Sequence, residues 1–430
     1  MGLETINVTR WLNGSQEFVE VGTLFRDDSL DRKNPLIGFN YHPEYLDAHP
    51  RLLPDRYESK NGSTLLGGPD NKDMVPNYFK QFLPSERNKS VLNGVSDDFH
   101  TLDQFQQINY LTKFRGVFGS VQLNYDAEQQ KNQLPKIKEA MALLDVVEQG
   151  DYQRANDKTL SAMYHPNSDV HVVSTFIEID DNHVYCTIKK CKSEKEANEL
   201  LFAQNLMNEC GIESPLTIKL EQGDGEFFVG QIAGEQIINK AKNISVMFNT
   251  VPSAVLLADS GYISNFENIN FAHINQAVHD SVEDVGAEVF KRALFTHLAG
   301  QKELSAKHFK IKEVGDGAWA LAPQEVFNVK LDPNIPFNLA LTDTISSYTH
   351  LKVNDALVDM VIDKYKLKRE DVTKAINEVM QGFEKIPEIA TNSGLIPSDV
   401  RELLYHVKQS ELLTFNMDNS KKINIKGPYL

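Results

Sequence analysis

Apolar and polar residues alternate through "INVTRWLNGSQEFVEVGTLF", residues 6–25, on both sides of Asn13-Gly14. A period of two predicts paired strands, and Asn-Gly readily takes the positive φ angles of a two-residue type I′ turn. "NPLIGFNYHPEYL" reads as a further strand entering a turn, and "MVPNYFKQFLPSERNKSVL" as a helix broken at Pro84, where the hydrogen-bond ladder cannot continue. "GVFGSVQLNY" supplies a late strand, and the Gln-, Lys- and Glu-rich stretch 127–160 a polar helix and connector. The alternation returns in "SDVHVVSTFIEIDDNHVYCTIKKC", a hairpin around Asp180-Asp181-Asn182, and in "LTIKLEQGDGEFFVGQI", which turns at Gly223-Asp224-Gly225. Between them Ala197, Leu200, Leu201, Gln204 and Met207 recur at helical spacing, and Gly211 is placed to end that helix. Beyond residue 240 the helical period dominates: Leu357, Met360, Val361 and Tyr365 share one stripe, and Val372, Ile376, Val379, Met380 and Phe383 another. Ser398 or Asp399 is the expected cap of a last helix carrying Val400, Leu404 and Val407.

These elements predict an α+β chain of several units: an N-terminal α+β domain over 1–126, a helical connector over 127–155, a small β-rich lobe over 156–238 and a large helical lobe over 239–430. The charge narrows the partners. A net −16 disfavours broad DNA binding through the chain's own surface, since that affinity comes from Lys and Arg on phosphates. No stretch approaches the roughly 18 consecutive apolar residues of a membrane span. The opening residues lack a signal-peptide pattern, and three sparse cysteines, Cys186, Cys191 and Cys210, suit a reducing compartment, so a cytoplasmic location is expected. Cys186 and Cys191 lack a second pair for a zinc site. His165, Asp169 and His171 of "HPNSDVH" read as a polar loop before a metal site, and Trp11 and Trp319 as packing residues. No GxSxG, HExxH or Walker-type loop occurs.

The order strand-strand-helix-strand-strand after residue 156 is that of a kinase small lobe. The whole chain resembles the HipA family, bacterial Ser/Thr kinase toxins of type II toxin–antitoxin modules. The resemblance is carried by "VTRWLNGSQEFVEVGTL", "YFKQFLPSE", "GVFGSVQL", "TIKK", "ANELLFAQNLMNECGIESP" and "WALAPQEVFNV", in the family's order. It implies a kinase-like fold, ATP and Mg2+ as cofactors of active members, and an antitoxin-like helix-turn-helix partner that contacts DNA.

Position by position the resemblance then departs from the family's chemistry. Phosphoryl transfer is mostly positioning and charge neutralisation by Lys, Asp, Asn and metal ions. The strand lysine falls on Lys189, with Lys190 as the register alternative, and its carboxylate partner on Glu199 or, one helical turn earlier, Glu196. The family's glycine-bearing phosphate loop falls on "SAMYHPNSD", which has no glycine and includes Pro166; Ser161 takes the place of the serine that active members autophosphorylate. Ala233 stands at the acid of the nucleotide-holding hinge. In the catalytic loop "GQKELSAKHF", Glu303 replaces Asp, Ser305 replaces His, His308 replaces the metal-binding Asn, and Lys307 is retained. Val326 of "LAPQEVF" replaces the second metal-binding Asp, with Glu325 beside it, while His297 and His308 are candidate general bases. Neither an imidazole nor an isopropyl group replaces the oxygen shell that magnesium demands. The expectation is a pseudokinase acting through protein contacts, with a helix-turn-helix antitoxin or a related kinase subunit as partner, touching DNA only through that partner, and with no cofactor. The alternatives are a divergent active kinase using ATP and Mg2+ through Lys189, Glu303 and Glu325, and a scaffold in phage defence or mobile-element control.

Overall fold

The computed structural model describes residues 2–29, 34–54, 64–66, 74–84, 89, 92–94, 96, 98–112, 119–124, 135–149, 172–222, 225–232, 234, 236–239, 241–259, 269–279, 281–282, 285–315, 317–329, 331–332, 334–343 and 351–415. It is a mixed α+β fold. The first sheet is built from β1 (Leu3–Leu12), β2 (Glu17–Asp27), β3 (Leu36–Tyr41), β4 (Thr64–Leu66) and β5 (Val121–Leu123), in the order β4-β3-β2-β1-β5. Helices α1 (Pro43–Ala48), α2 (Asn77–Lys80) and α3 (Gln104–Leu111) accompany it. Helix α3 opens on a reciprocal cap, because the Asp103 carboxylate accepts the Gln106 N–H while Gln106 Oε1 accepts the Asp103 N–H.

Helix α4 (Ile137–Gln149) leads into a second sheet of β6 (Val172–Ile179), β7 (Asn182–Cys191), β8 (Leu216–Gln222), β9 (Glu226–Ile232), β10 (Gln236–Asn239) and β11 (Ile244–Met247), crossed by α5 (Glu194–Glu209). The strands run β11-β10-β7-β9-β8, with β6 paired to β7. Ala140, Met141 and Leu144 of α4 are buried in one cluster with Val173, Ile177, Val184 and Ile188. That helix is therefore amphipathic, with one stripe on the sheet, and not polar all round.

The helical part follows: β12 (Thr250–Pro252), α6 (Ser253–Asp259), α7 (Phe271–His279), α8 (Val285–Ala299), β13 (Lys310–Gly315), β14 (Ala318–Leu321), α9 (Asp355–Tyr365), α10 (Arg369–Glu384), α11 (Ile386–Asn392) and α12 (Arg401–Gln409). Strands β12, β13 and β14 make a small antiparallel sheet. Helix α8 is apolar on every side, from Val285 and Phe290 to Leu298, because it lies at the centre of the helical packing.

Three local expectations turn out differently. The β1–β2 hairpin closes through Asn13–Gln16, and the positive φ of 58° belongs to Gln16. Asn13 is drawn away from turn duty because its amide reaches the backbone of Met247 at 2.9 Å in both directions. Helix α2 ends at Lys80, short of Pro84, and sinks Tyr78 and Phe79 into the core. Helix α12 has no side-chain cap: Asp399 instead accepts the Ile396 N–H at 3.0 Å and pairs with Lys195 at 2.8 Å. The second hairpin matches its expectation, with Asp180 and Asp181 at φ 47° and 63° as a two-residue type I′ turn demands.

Candidate functional site

Strand β7 sends successive side chains to opposite faces, and this separates the two lysines. Lys189 enters a cavity between the second sheet and the β13 region, while Lys190 turns outward to Asp145 of α4 and, at 2.8 Å, to Glu226. Hydrogen bonds to Asp145 and then Glu226 hold the Lys190 ammonium well above the ordinary lysine range.

The carboxylate that meets Lys189 is Glu196, at 3.0 Å, and not Glu199. Glu196 is the third residue of α5, whose start is capped by Ser193 Oγ accepting the Glu196 N–H at 3.2 Å. Its own Oε2 accepts the Lys192 N–H at 2.8 Å, so one oxygen braces the helix start and the other faces the lysine. Burial pushes this carboxyl upward, but the Lys192 N–H and the Lys189 ammonium bring it below the ordinary glutamate range. Glu199 sits one turn further along, 4.0 Å from Lys195, and burial raises it. It is not among the residues that line the cavity.

Gly300, at φ 69°, ends α8 and starts the loop that returns as β13. The loop is fixed from several sides: Ser253 Oγ donates to the Ala306 carbonyl at 2.6 Å, Gln301 Nε2 to the Phe327 carbonyl at 3.1 Å, and Asn338 Nδ2 to the Glu303 carbonyl at 3.1 Å. Glu303 lines the cavity and is half-buried. Lys307 is half-buried and outside the cavity wall. His308 is buried behind it, its Nδ1 accepting the Ser305 N–H at 3.1 Å and lying 2.9 Å from Ser305 Oγ, its ring packed on Phe327. This imidazole braces the loop and takes no general-base position. His297 is no base either: it is 2% exposed, stacked 4.3 Å from Phe337, and burial lowers it to about 4.

Val326 lines the cavity with an apolar side chain continuous with the core, and its carbonyl accepts from Gln231 Nε2 at 3.2 Å. The neighbouring Glu325 is held by Lys310 at 2.9 Å. Lys310 and Lys312, which also line the cavity, were missed by sequence reasoning. The signal was the alternation in "FKIKEVG", which puts both lysines on one face of β13. Lys312 pairs with Glu213 at 3.4 Å. The cavity encloses about 100 Å³, well below the roughly 300–1,000 Å³ of ordinary small-molecule sites.

Magnesium asks for a near-octahedral set of oxygens. The two positions that would supply it carry a valine and a histidine whose Nδ1 is already engaged, and the adjacent carboxylate is bound to an ammonium. The residues present do not fit the ion. Among the described residues no cluster of three or more His, Cys, Asp or Glu is arranged to hold a metal, and the three cysteines are free thiols, all buried. Ser161, Pro166, His165, Asp169, His171 and Ala233 lie outside the described residues.

HipA of Shewanella oneidensis MR-1, solved with HipB and its operator DNA, superposes with a TM-score of 0.62 at 12% identity, covering 94% of this chain and 96% of that one. The chain has a HipA-like fold. A second match, the proinflammatory kinase CtkA of Helicobacter pylori, has a TM-score of 0.40 at 11% identity over 57% of this chain and 91% of that one. No protein-family model matches the chain, and no curated protein matches its sequence. Within the HipA-like fold, the Lys189–Glu196 pair occupies the place of the nucleotide-binding lysine and its helix carboxylate. No helix of the described residues is long and apolar enough to cross a membrane.

Proposed function

We propose that this chain is a HipA-like pseudokinase that acts through protein contacts in a toxin–antitoxin or related regulatory or defence module. The observation that carries this reading is Glu325 bound to Lys310 beside Val326, where a kinase needs free metal-binding oxygens. The small cavity supports it, since a nucleoside triphosphate with its counter-ions needs several times that space. The partner that fits is a helix-turn-helix antitoxin: the structurally similar HipA is a complex with HipB and operator DNA, and a chain of net charge −16 would gain its DNA contact through such a subunit. A cytoplasmic location belongs to the same proposal.

One observation favours the active-kinase alternative: Lys189 keeps a carboxylate partner and Glu303 faces the same cavity. Calorimetry on the purified chain separates the two. The expected outcome is no magnesium-dependent heat with ATP up to millimolar concentrations. A low-micromolar, magnesium-dependent dissociation constant, with phosphoryl transfer abolished by Lys189→Ala, would establish the kinase instead.

A further inference from the structure

Lys310 is the first residue of β13, and only 8% of its side chain is exposed. Its backbone is pinned, because its carbonyl accepts the Ala322 N–H at 2.9 Å, and the strand period keeps its side chain on the face it shares with Lys312. The ammonium meets Glu325 in the cavity that also holds Glu303 and Asn328. Asn328 is 9% exposed, and among the described residues its Oδ1 receives no hydrogen bond. Two carboxylates and a buried amide oxygen are thus gathered around one cavity, which is the donor chemistry of a hard divalent cation. The position among them is taken by a lysine.

We propose that Lys310 is a tethered cation, a covalent replacement for a divalent metal at this site. Its single charge neutralises Glu325 permanently, so the fold needs no ion at this site. It follows that a latent oxygen-donor site for Mn2+ or Mg2+ lies beneath the ammonium, formed by Glu325 and Asn328 with Glu303 at the same wall. This rests on the non-catalytic reading of the cleft, and adds what keeps the cleft in that state.

Manganese binding by electron paramagnetic resonance tests it on three full-length chains. The wild type is expected to leave manganese free in solution. Lys310→Met should bind it at least tenfold more tightly, and Lys310→Met/Glu325→Gln should lose the gain. A folded Lys310→Met chain without the gain overturns the proposal. So does a wild-type chain whose manganese binding is lost on Glu325→Gln. If Lys310→Met alone proves too unstable to purify, manganese in the refolding buffer should restore its yield, and the double variant should fold without it. A double variant as unstable as the single one overturns the proposal as well. Wild-type manganese binding without phosphoryl transfer would sink the tethered-cation idea alone and leave the non-catalytic function standing. Phosphoryl transfer would sink that function.

Discussion

A single histidine sets how this protein responds to acid. His297 has no exposed face and burial lowers it to about 4, against 6.5 for an ordinary histidine, so between those values the unfolded chain binds the proton and the folded one does not. Stability is therefore full above about pH 6.5 and falls as pH drops toward 4, by on the order of 3 kcal/mol. The expected outcome is that His297→Leu flattens this loss, read as the urea midpoint between pH 7 and pH 4. At the catalytic positions the expectation is the opposite kind of indifference. Lys189→Ala and Glu303→Ala should leave the cellular phenotype intact while the protein stays folded, and loss of phenotype in a soluble variant would favour the kinase reading. Of the site, Lys189, Glu303, Glu325 and Val326 were legible in the sequence, because strand alternation and loop order place them. The choice of Glu196 over Glu199 was not, since both fall within a turn of each other. It was decided by Ser193 fixing where α5 begins, and by Lys195 and Asp399 drawing charge to the far side.

Hairpins and amphipathic helices were the legible elements, since each is specified by a local period that burial then rewards. What the local pattern could not carry was a long-range demand on a turn residue. Asn13 shows this: its local preference predicts a type I′ turn, but its amide satisfies the Met247 N–H and carbonyl on the outer side of β11. Neighbouring contacts extend the same docking, with Trp11 Nε1 donating to the Ser245 carbonyl at 3.0 Å and Gln16 Oε1 accepting the Ser245 N–H at 2.7 Å. Asn13→Ala strips two partners from one backbone position. It should cost about 1–3 kcal/mol, measured as a lower denaturation midpoint, with no change in the β1–β2 register. A cost near zero would mean that water replaces the amide freely.

Across the whole molecule the N-terminal unit and the helical part are joined by a buried charge pair. Arg10 of β1 meets Glu313 of β13 at 2.5 Å, with Tyr45 Oη and the Pro50 carbonyl as further acceptors of the same guanidinium. Removing one member leaves the other charged and dry. Arg10→Met should therefore destabilise by about 3–5 kcal/mol, and Arg10→Met/Glu313→Leu should recover much of that, because a matched apolar pair needs no desolvation of charge. Thermal denaturation of the wild type and both variants checks it, and equal losses in single and double variants would show that packing, not charge, joins the units.

The same join reaches the connector between the second sheet and the helical part. The Ser120 N–H bonds the Phe248 carbonyl at 3.0 Å, Tyr78 Oη donates to Asn249 at 2.9 Å, and Asn249 Nδ2 donates to the Leu52 carbonyl at 2.8 Å. On the inner side of that connector, Phe248 and Thr250 form part of the cavity wall. Outer grip and inner wall are thus two sides of one short piece of backbone. A ligand on either side that favours one position of this backbone biases the other side by an equal free energy, because such linkage is reciprocal. A chain without catalysis would in this way still carry a message between its surface and its interior.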